Sequence, residues 1–326
     1  MNSSTDSKEF SPFYDPRGKA NSLKVAGKVS ISLAVGGFYI LAQYLVLPDK
    51  AVFFSQYCWV LGVIISTCLM ALYVSTDVFR STLGTIDAMQ GSGSLSNSVV
   101  QIWLNNRRLL LAGFLFGTSN TLVAHLLGVP GELHSSPAAL LIMYIGYFGA
   151  GFAAGMGMLA IFAVIVLYLK LAPRLERSLD SETFDVISSL KQLSNSLWFF
   201  AILTSMVGVL VSLYMFAVDW QLMHTALAKS LFLFWLSLPY IVAVSIVLIP
   251  SLAVGRQVSY YKAYRIGQLK QERSKLHLSL KKFEASDDES IIQRQREITE
   301  KLELLNIKIK KLEKLRSHNF DRSEEH

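Results

Sequence analysis

Gly117-Thr118-Ser119-Asn120-Thr121 places four consecutive hydrogen-bonding side chains inside a stretch that is otherwise apolar from Leu109 to Leu127. Hydroxyls and a carboxamide without a base beside them carry out no covalent chemistry near neutral pH. They can order water or a desolvated ion, or they can bond a neighbouring helix at on the order of 0.6 kcal/mol per contact in hydrocarbon. Four such groups facing lipid are unfavourable, so this part of the stretch is expected to face protein or water, with Asn120 the central candidate. His125, five residues further on, is the only side chain within such a stretch that titrates near neutrality. It is read either as a pH-sensitive pore or transport residue or as a hydrogen-bonded packing histidine. Cys58 and Cys68 are the only cysteines, ten residues apart on one stretch, and read as small buried apolar residues rather than a disulfide or metal pair.

Backbone specialists are the second set of candidates. Gly151 and Gly155 form a GxxxG pair among Gly146, Gly149 and Gly157, a pattern that lets helices approach closely or one helix flex. Pro239 and Pro250 each remove a backbone donor from a helix, producing kinks that serve as gates in some transporters and as plain bends in many spans. Asp219-Trp220 and the polar positions Gln43, Tyr44, Ser55 and Gln56 lie near stretch ends and read as interfacial anchors.

The elements that position these residues are six apolar runs: Val29–Leu47, Val52–Val74, Leu109–Leu127, Ala138–Leu169, Leu197–Val218 and Leu231–Val254. Each approaches or exceeds the roughly 20 residues that an α-helix needs to cross a bilayer, and none has an interior Lys, Arg, Asp or Glu. The bulk composition agrees, with 52% hydrophobic and only 17% charged residues. The net charge of +7 does not point to nucleic acid, because more than half of the 31 Lys and Arg lie after residue 255. The loops Pro48–Ala51, Gly128–Pro137 and Asp219–Ser230 hold only Lys50 and Lys229, whereas the alternate segments are basic. By the positive-inside rule both termini are expected in the cytoplasm of a multi-pass protein, most simply of the plasma (inner) membrane. The first span is expected to stay as an anchor rather than be cleaved as a signal.

The expected fold is therefore all-α: six transmembrane helices in three hairpins, followed by a cytoplasmic coiled-coil hairpin. A tail covers 1–25 and the membrane domain 26–255, with cytoplasmic helical extensions at 77–108 and 170–196. Ile266, Leu269, Leu276, Leu280 and Phe283 occupy heptad seam positions, with Arg273 in one slot. Ile291, Ile298, Leu302, Leu305, Ile309 and Leu312 repeat the pattern after a turn in which Ser286 and Glu289 form a capping box. The coiled coil covers 256–318, and residues 319–326 are expected to form a disordered tail.

No phosphate-cradling glycine loop, HExxH or GxSxG occurs, so neither an enzyme nor a cofactor is expected. Three readings follow. One is a homo-oligomeric ion channel or pore with Thr118, Ser119, Asn120, Thr121 and His125 along its path and Gly151, Gly155, Pro239 and Pro250 as gating positions. The second is a membrane scaffold or sensor recruiting a cytoplasmic protein through 256–318. The third is a secondary transporter, disfavoured because no charged coupling residue sits in mid-span.

Overall fold

The structure, a computed structural model, describes residues 25–90, 94–131, 133, 136–175, 185–283 and 289–314. Within them the chain forms nine α-helices and a 3-10 turn at Ala172–Arg174, with no strand among the described residues. They are α1 Val25–Val46, α2 Lys50–Ser55, α3 Cys58–Gln90, α4 Ser94–Trp103, α5 Asn106–Leu127, α6 Pro137–Leu171, α7 Asp185–Ala217, α8 Ala226–Phe283 and α9 Glu289–Lys314. Six are long and apolar enough to cross a membrane: α1, α3, α5, α6, α7 and α8. A hydrocarbon layer offers backbone groups no partner, so each span must satisfy its own, and only helices of this length do so. The chain is a multipass helical membrane protein.

The second apolar run does not form one helix from Val52. Asp49 caps the short α2 by accepting from the Ala51 N–H at 2.8 Å. Tyr57, at φ 51°, then turns the chain through the left-handed region, and α3 starts at Cys58. Glycine or asparagine usually marks such a stop; a tyrosine gives no warning of it. At its far end α3 continues beyond the apolar run to Gln90, into the stretch where a helical extension over 77–108 is expected; Phe79, Leu83 and Ile86 recur there at helical spacing and all three are buried. Asn105 caps α5 through the Arg107 N–H at 2.9 Å.

The chain divides into two compact units, Met1–Tyr168 with Ile187–Pro250, and Leu169–Val186 with Ser251–His326. In the first, small residues set the close crossings. A side chain at Gly36 of α1 would run into Ser66 and the Gly62 carbonyl of α3. Near the start of α1, Lys28 Nζ meets Asp77 Oδ2 of α3 at 2.7 Å. On α5, Gly113 and Gly117 sit against Phe152 and Phe148 of α6, while a Cβ on Gly155 of α6 would lie 2.6 Å from the Ala112 carbonyl oxygen. GxxxG pairs thus occur on both sides of that crossing. Gly208 of α7 accommodates the ring of Pro239 on α8, 2.9 Å from where a Cβ would stand.

In the second unit, Leu269 of α8 buries against Leu305 and Ile309 of α9, with Leu276 packed on the cluster. The Arg273 guanidinium donates to Asn306 Oδ1 at 3.3 Å. Earlier residues of α8 therefore meet later residues of α9. Leu302 is also buried, and Ile266, Leu280 and Ile298 are half-buried. The side chains of Phe283, Ile291 and Leu312, the Ser286 capping box, and the tails at 1–24 and 319–326 lie outside the described residues.

Candidate functional site

Between α3, α5, α6, α7 and α8 the first unit forms a partly open cavity of about 170 Å³. On α3 its lining runs from Leu61 to Phe79, a height of about 27 Å at 1.5 Å per residue. A compact cavity of about 150 Å³ holds a benzene ring. The same volume drawn out over nearly the thickness of a hydrocarbon core is a slot suited to one extended chain. No Lys, Arg, Asp, Glu or His is found among the described lining residues. Two of the polar ones are already bonded within their own helices, Ser75 Oγ to the Leu72 carbonyl at 2.8 Å and Thr204 Oγ1 to the Phe200 carbonyl at 2.8 Å.

Tyr147, Tyr214 and Trp220 line the slot at the end nearest the loops 128–136 and 218–225. The Tyr147 and Tyr214 hydroxyls bond one another at 2.9 Å. The Trp220 indole donates to the Met215 carbonyl at 2.9 Å and is only 5% exposed. It is a core residue, not the interfacial anchor expected beside Asp219. The two loops are clasped by backbone bonds: the Gln221 N–H to the Gly128 carbonyl at 3.1 Å and the Leu222 N–H to the Leu127 carbonyl at 2.9 Å. Gly128 is needed there, because at φ 81° a Cβ would lie 2.9 Å from the Leu222 nitrogen.

Asn120 lines the slot near the same end. Its Nδ2 donates to the Tyr147 carbonyl at 2.7 Å and its Oδ1 accepts from the Trp235 indole at 2.9 Å. Trp235 in turn stacks on Phe116 with centroids 5.2 Å apart. One side chain so joins α5, α6 and α8. Gly151 makes this possible, because a Cβ there would sit 2.7 Å from the Asn120 Cβ.

A second polar group lies outside the slot lining. Gln43 of α1 is 0% exposed, not interfacial as its position near the span end suggests. Neither Nε2 nor Oε1 has a nitrogen or oxygen partner among the described residues. The fully buried Cys58 thiol lies within weak hydrogen-bonding reach of the amide, and Tyr39, one turn earlier on α1, reaches Met143 Sδ at 3.5 Å. The Tyr39 hydroxyl, the Cys58 thiol and the Tyr147–Tyr214 pair lie within electrostatic reach of each other.

Of the pore and gating candidates, Asn120, Gly151 and Pro239 line the slot, as do Cys68, Gly157 and Trp220. Thr118 and Ser119 point to the bundle exterior, and Thr121 bonds the Gly117 carbonyl of its own helix at 2.9 Å. His125 is exposed and bonds the Tyr144 hydroxyl at 2.9 Å through Nδ1. Gly155 belongs to the α5–α6 crossing, and Pro250 is buried on α8 away from the slot lining. Cys58 and Cys68 are free and buried. Among the described residues no His, Cys, Asp and Glu group forms a metal cluster.

Tyr147, Tyr214 and Trp235 were not among the residues expected from sequence, and Gln43 and Trp220 were expected only as interfacial anchors. A signal was present: tyrosine hydroxyls and indoles within apolar runs require partners in hydrocarbon. Comparison of the chain with protein-family models, with curated proteins and with solved structures returned no match.

Proposed function

We propose that the six-span unit is a membrane-embedded carrier or sensor that holds one apolar or amphipathic chain in the slot. The single observation that carries this reading is the tall, charge-free lining with most of its polar side chains gathered at the tyrosine end. An ion entering such a slot would lose its hydration and find no formal charge in return, and narrow apolar passages expel water. A hydrocarbon chain has no such penalty. It comes from lipid as apolar as the slot, so its affinity rests on packing and on what its polar end meets, not on the hydrophobic effect. On this reading α8, continuing without interruption into α9's partner region, connects the bundle to a cytoplasmic coiled coil that assembles copies or reports to a partner.

Gly157 supplies the test. It lines the slot, and a Cβ added there meets nothing within 4 Å. Full-length protein purified in mild detergent is expected to carry about one tightly retained single-chain lipid per chain. Gly157→Phe should lose that lipid and keep the wild-type melting temperature. Equal lipid recovery from both proteins, or none from either, overturns the reading.

One observation favours a second reading, an ion channel whose axis lies between copies: Thr118 and Ser119 face outward from the middle of a span. There, conductance in planar bilayers should fall on Thr118→Leu with Ser119→Leu and stay unchanged in Gly157→Phe.

A further inference from the structure

We infer that the molecule in the slot carries an uncharged head that both donates and accepts a hydrogen bond, an alcohol or a carboxamide, and that Gln43 is the residue that distinguishes it from other heads. The inference rests on the chamber reading above.

Gln43 is the anomaly of the bundle. A carboxamide has two protons and a carbonyl with two lone pairs. Here all of it is removed from solvent, with no nitrogen or oxygen partner for either amide atom among the described residues and only the weakly bonding Cys58 thiol in reach. Buried polar groups in folded proteins are nearly always bonded, and each that is not calls for an explanation such as a ligand or ordered water. Deep in a bilayer the penalty is heavier still, because lipid supplies no substitute partner.

The surroundings state what the missing partner must be. Tyr39, Cys58, Tyr147, Tyr214 and Trp220 present hydroxyls, a thiol and an indole, and none bears a formal charge at neutral pH. A carboxylate or quaternary ammonium head would therefore lie unpaired in a low-dielectric site. A ketone, ester or quinone accepts only, which leaves Gln43 Oε1 unbonded. An alcohol or a carboxamide answers both atoms. Gln43 itself is outside the slot lining; the Tyr147–Tyr214 pair, which lines the slot, belongs to the same buried cluster as Tyr39 and Cys58 and so joins the two. Those two hydroxyls now bond each other and can re-pair with a head group placed between them and the amide. The slot takes the chain, and the cluster takes the head.

The test compares heads on one chain length. Delipidated full-length protein in nanodiscs is titrated with hexadecanol, hexadecanamide, methyl palmitate, palmitate and hexadecyltrimethylammonium, each competing with a photoreactive alkyl probe. The alcohol and the amide are expected to compete about tenfold better than the methyl ester, the factor that one additional satisfied buried group supplies. Gln43→Leu should shrink that ratio to about twofold or less and leave methyl palmitate unchanged. Gln43→Met, with a side chain of similar length, should do the same and serves if the leucine variant does not fold.

A flat head-group series in the wild type overturns the inference, as does a preference that survives in both variants; Gln43 would then be bonded by trapped water while the chamber reading stands. If no chain competes whatever its head, and Gly157→Phe alters nothing, the chamber reading itself falls.

Discussion

Asn120 and Gln43 carry the same functional group in the same bundle and have opposite surroundings. Asn120, on α5, has both amide atoms engaged by α6 and α8. Gln43, on α1, is more deeply buried and has no nitrogen or oxygen partner for either among the described residues, only the Cys58 thiol nearby. The first is a clasp between spans; the second is held in place by neighbours that leave its polar atoms idle. In hydrocarbon, polarity alone does not mark a functional residue. Unmet polarity does, because a protein can keep an unbonded amide away from water only if something else in the fold holds it there.

The clasp can be broken most severely from the α6 side. Gly151→Leu would drive a branched side chain into the Asn120 Cβ, 2.7 Å from the new Cβ, and into the Gly117 backbone. We expect a loss of about 3 kcal/mol or more, the upper range for overpacking, read as a collapse of folded yield and of the unfolding midpoint in detergent. Gly149→Leu, whose Cβ meets nothing within 4 Å, should stay within about 0.5 kcal/mol of wild type. Comparable losses in both would mean that the α5–α6 crossing is not as close as described.

Asn120→Leu comes next. It strands the Trp235 indole N–H inside the bundle and removes the donor to the Tyr147 carbonyl, which should cost about 1–3 kcal/mol. Gln43→Leu has the opposite prediction. Exchanging an unbonded buried amide for an apolar side chain of similar size is expected to be neutral or to stabilise by about 1 kcal/mol in lipid-free protein. Midpoints of reversible unfolding in mixed micelles, measured side by side, give the sign for each. A destabilised Gln43→Leu would show that the amide has a partner and would remove the contrast.

That contrast was only half legible in the sequence. Long charge-free runs made six of the helices readable, since nothing else accommodates such stretches in lipid, and the spacing of Phe79, Leu83 and Ile86 foretold that α3 continues past its apolar run. Asn120 stood out because its neighbours Thr118, Ser119 and Thr121 are polar too. Yet those neighbours do not share its role, because a helix turns about 100° per residue and sends adjacent side chains to different faces. Gln43 was hidden by its place four residues from the end of an apolar run, where a snorkelling amide is the ordinary case. Its burial goes with its contact with Cys58, the first residue of α3, a start that the apolar run beginning at Val52 does not announce. The break before α3 rests on a tyrosine in the left-handed region, for which composition gives no sign. Gly113-Phe-Leu-Phe-Gly117 was readable as the partner of Gly151 and Gly155, but the polar run beginning at Gly117 drew attention from its spacing.

If Gln43 does not fasten α1 to the bundle, other contacts must, and they should rank by packing rather than by charge. The Gly36–Gly62 crossing is the first candidate. The Lys28–Asp77 pair at the opposite end of α1 is the second, bonded at 2.7 Å but with the aspartate side chain 48% exposed. A pair so open to solvent is screened, and holding a lysine in one geometry costs it much of the Coulomb gain. Lys28→Gln is therefore expected to lower stability by less than about 0.5 kcal/mol, and the difference should vanish when ionic strength is raised until the Debye length is about 3 Å. A larger, salt-insensitive loss would make Lys28 the true anchor of α1, and the idle amide of Gln43 would then sit on a helix held by charge rather than by close packing.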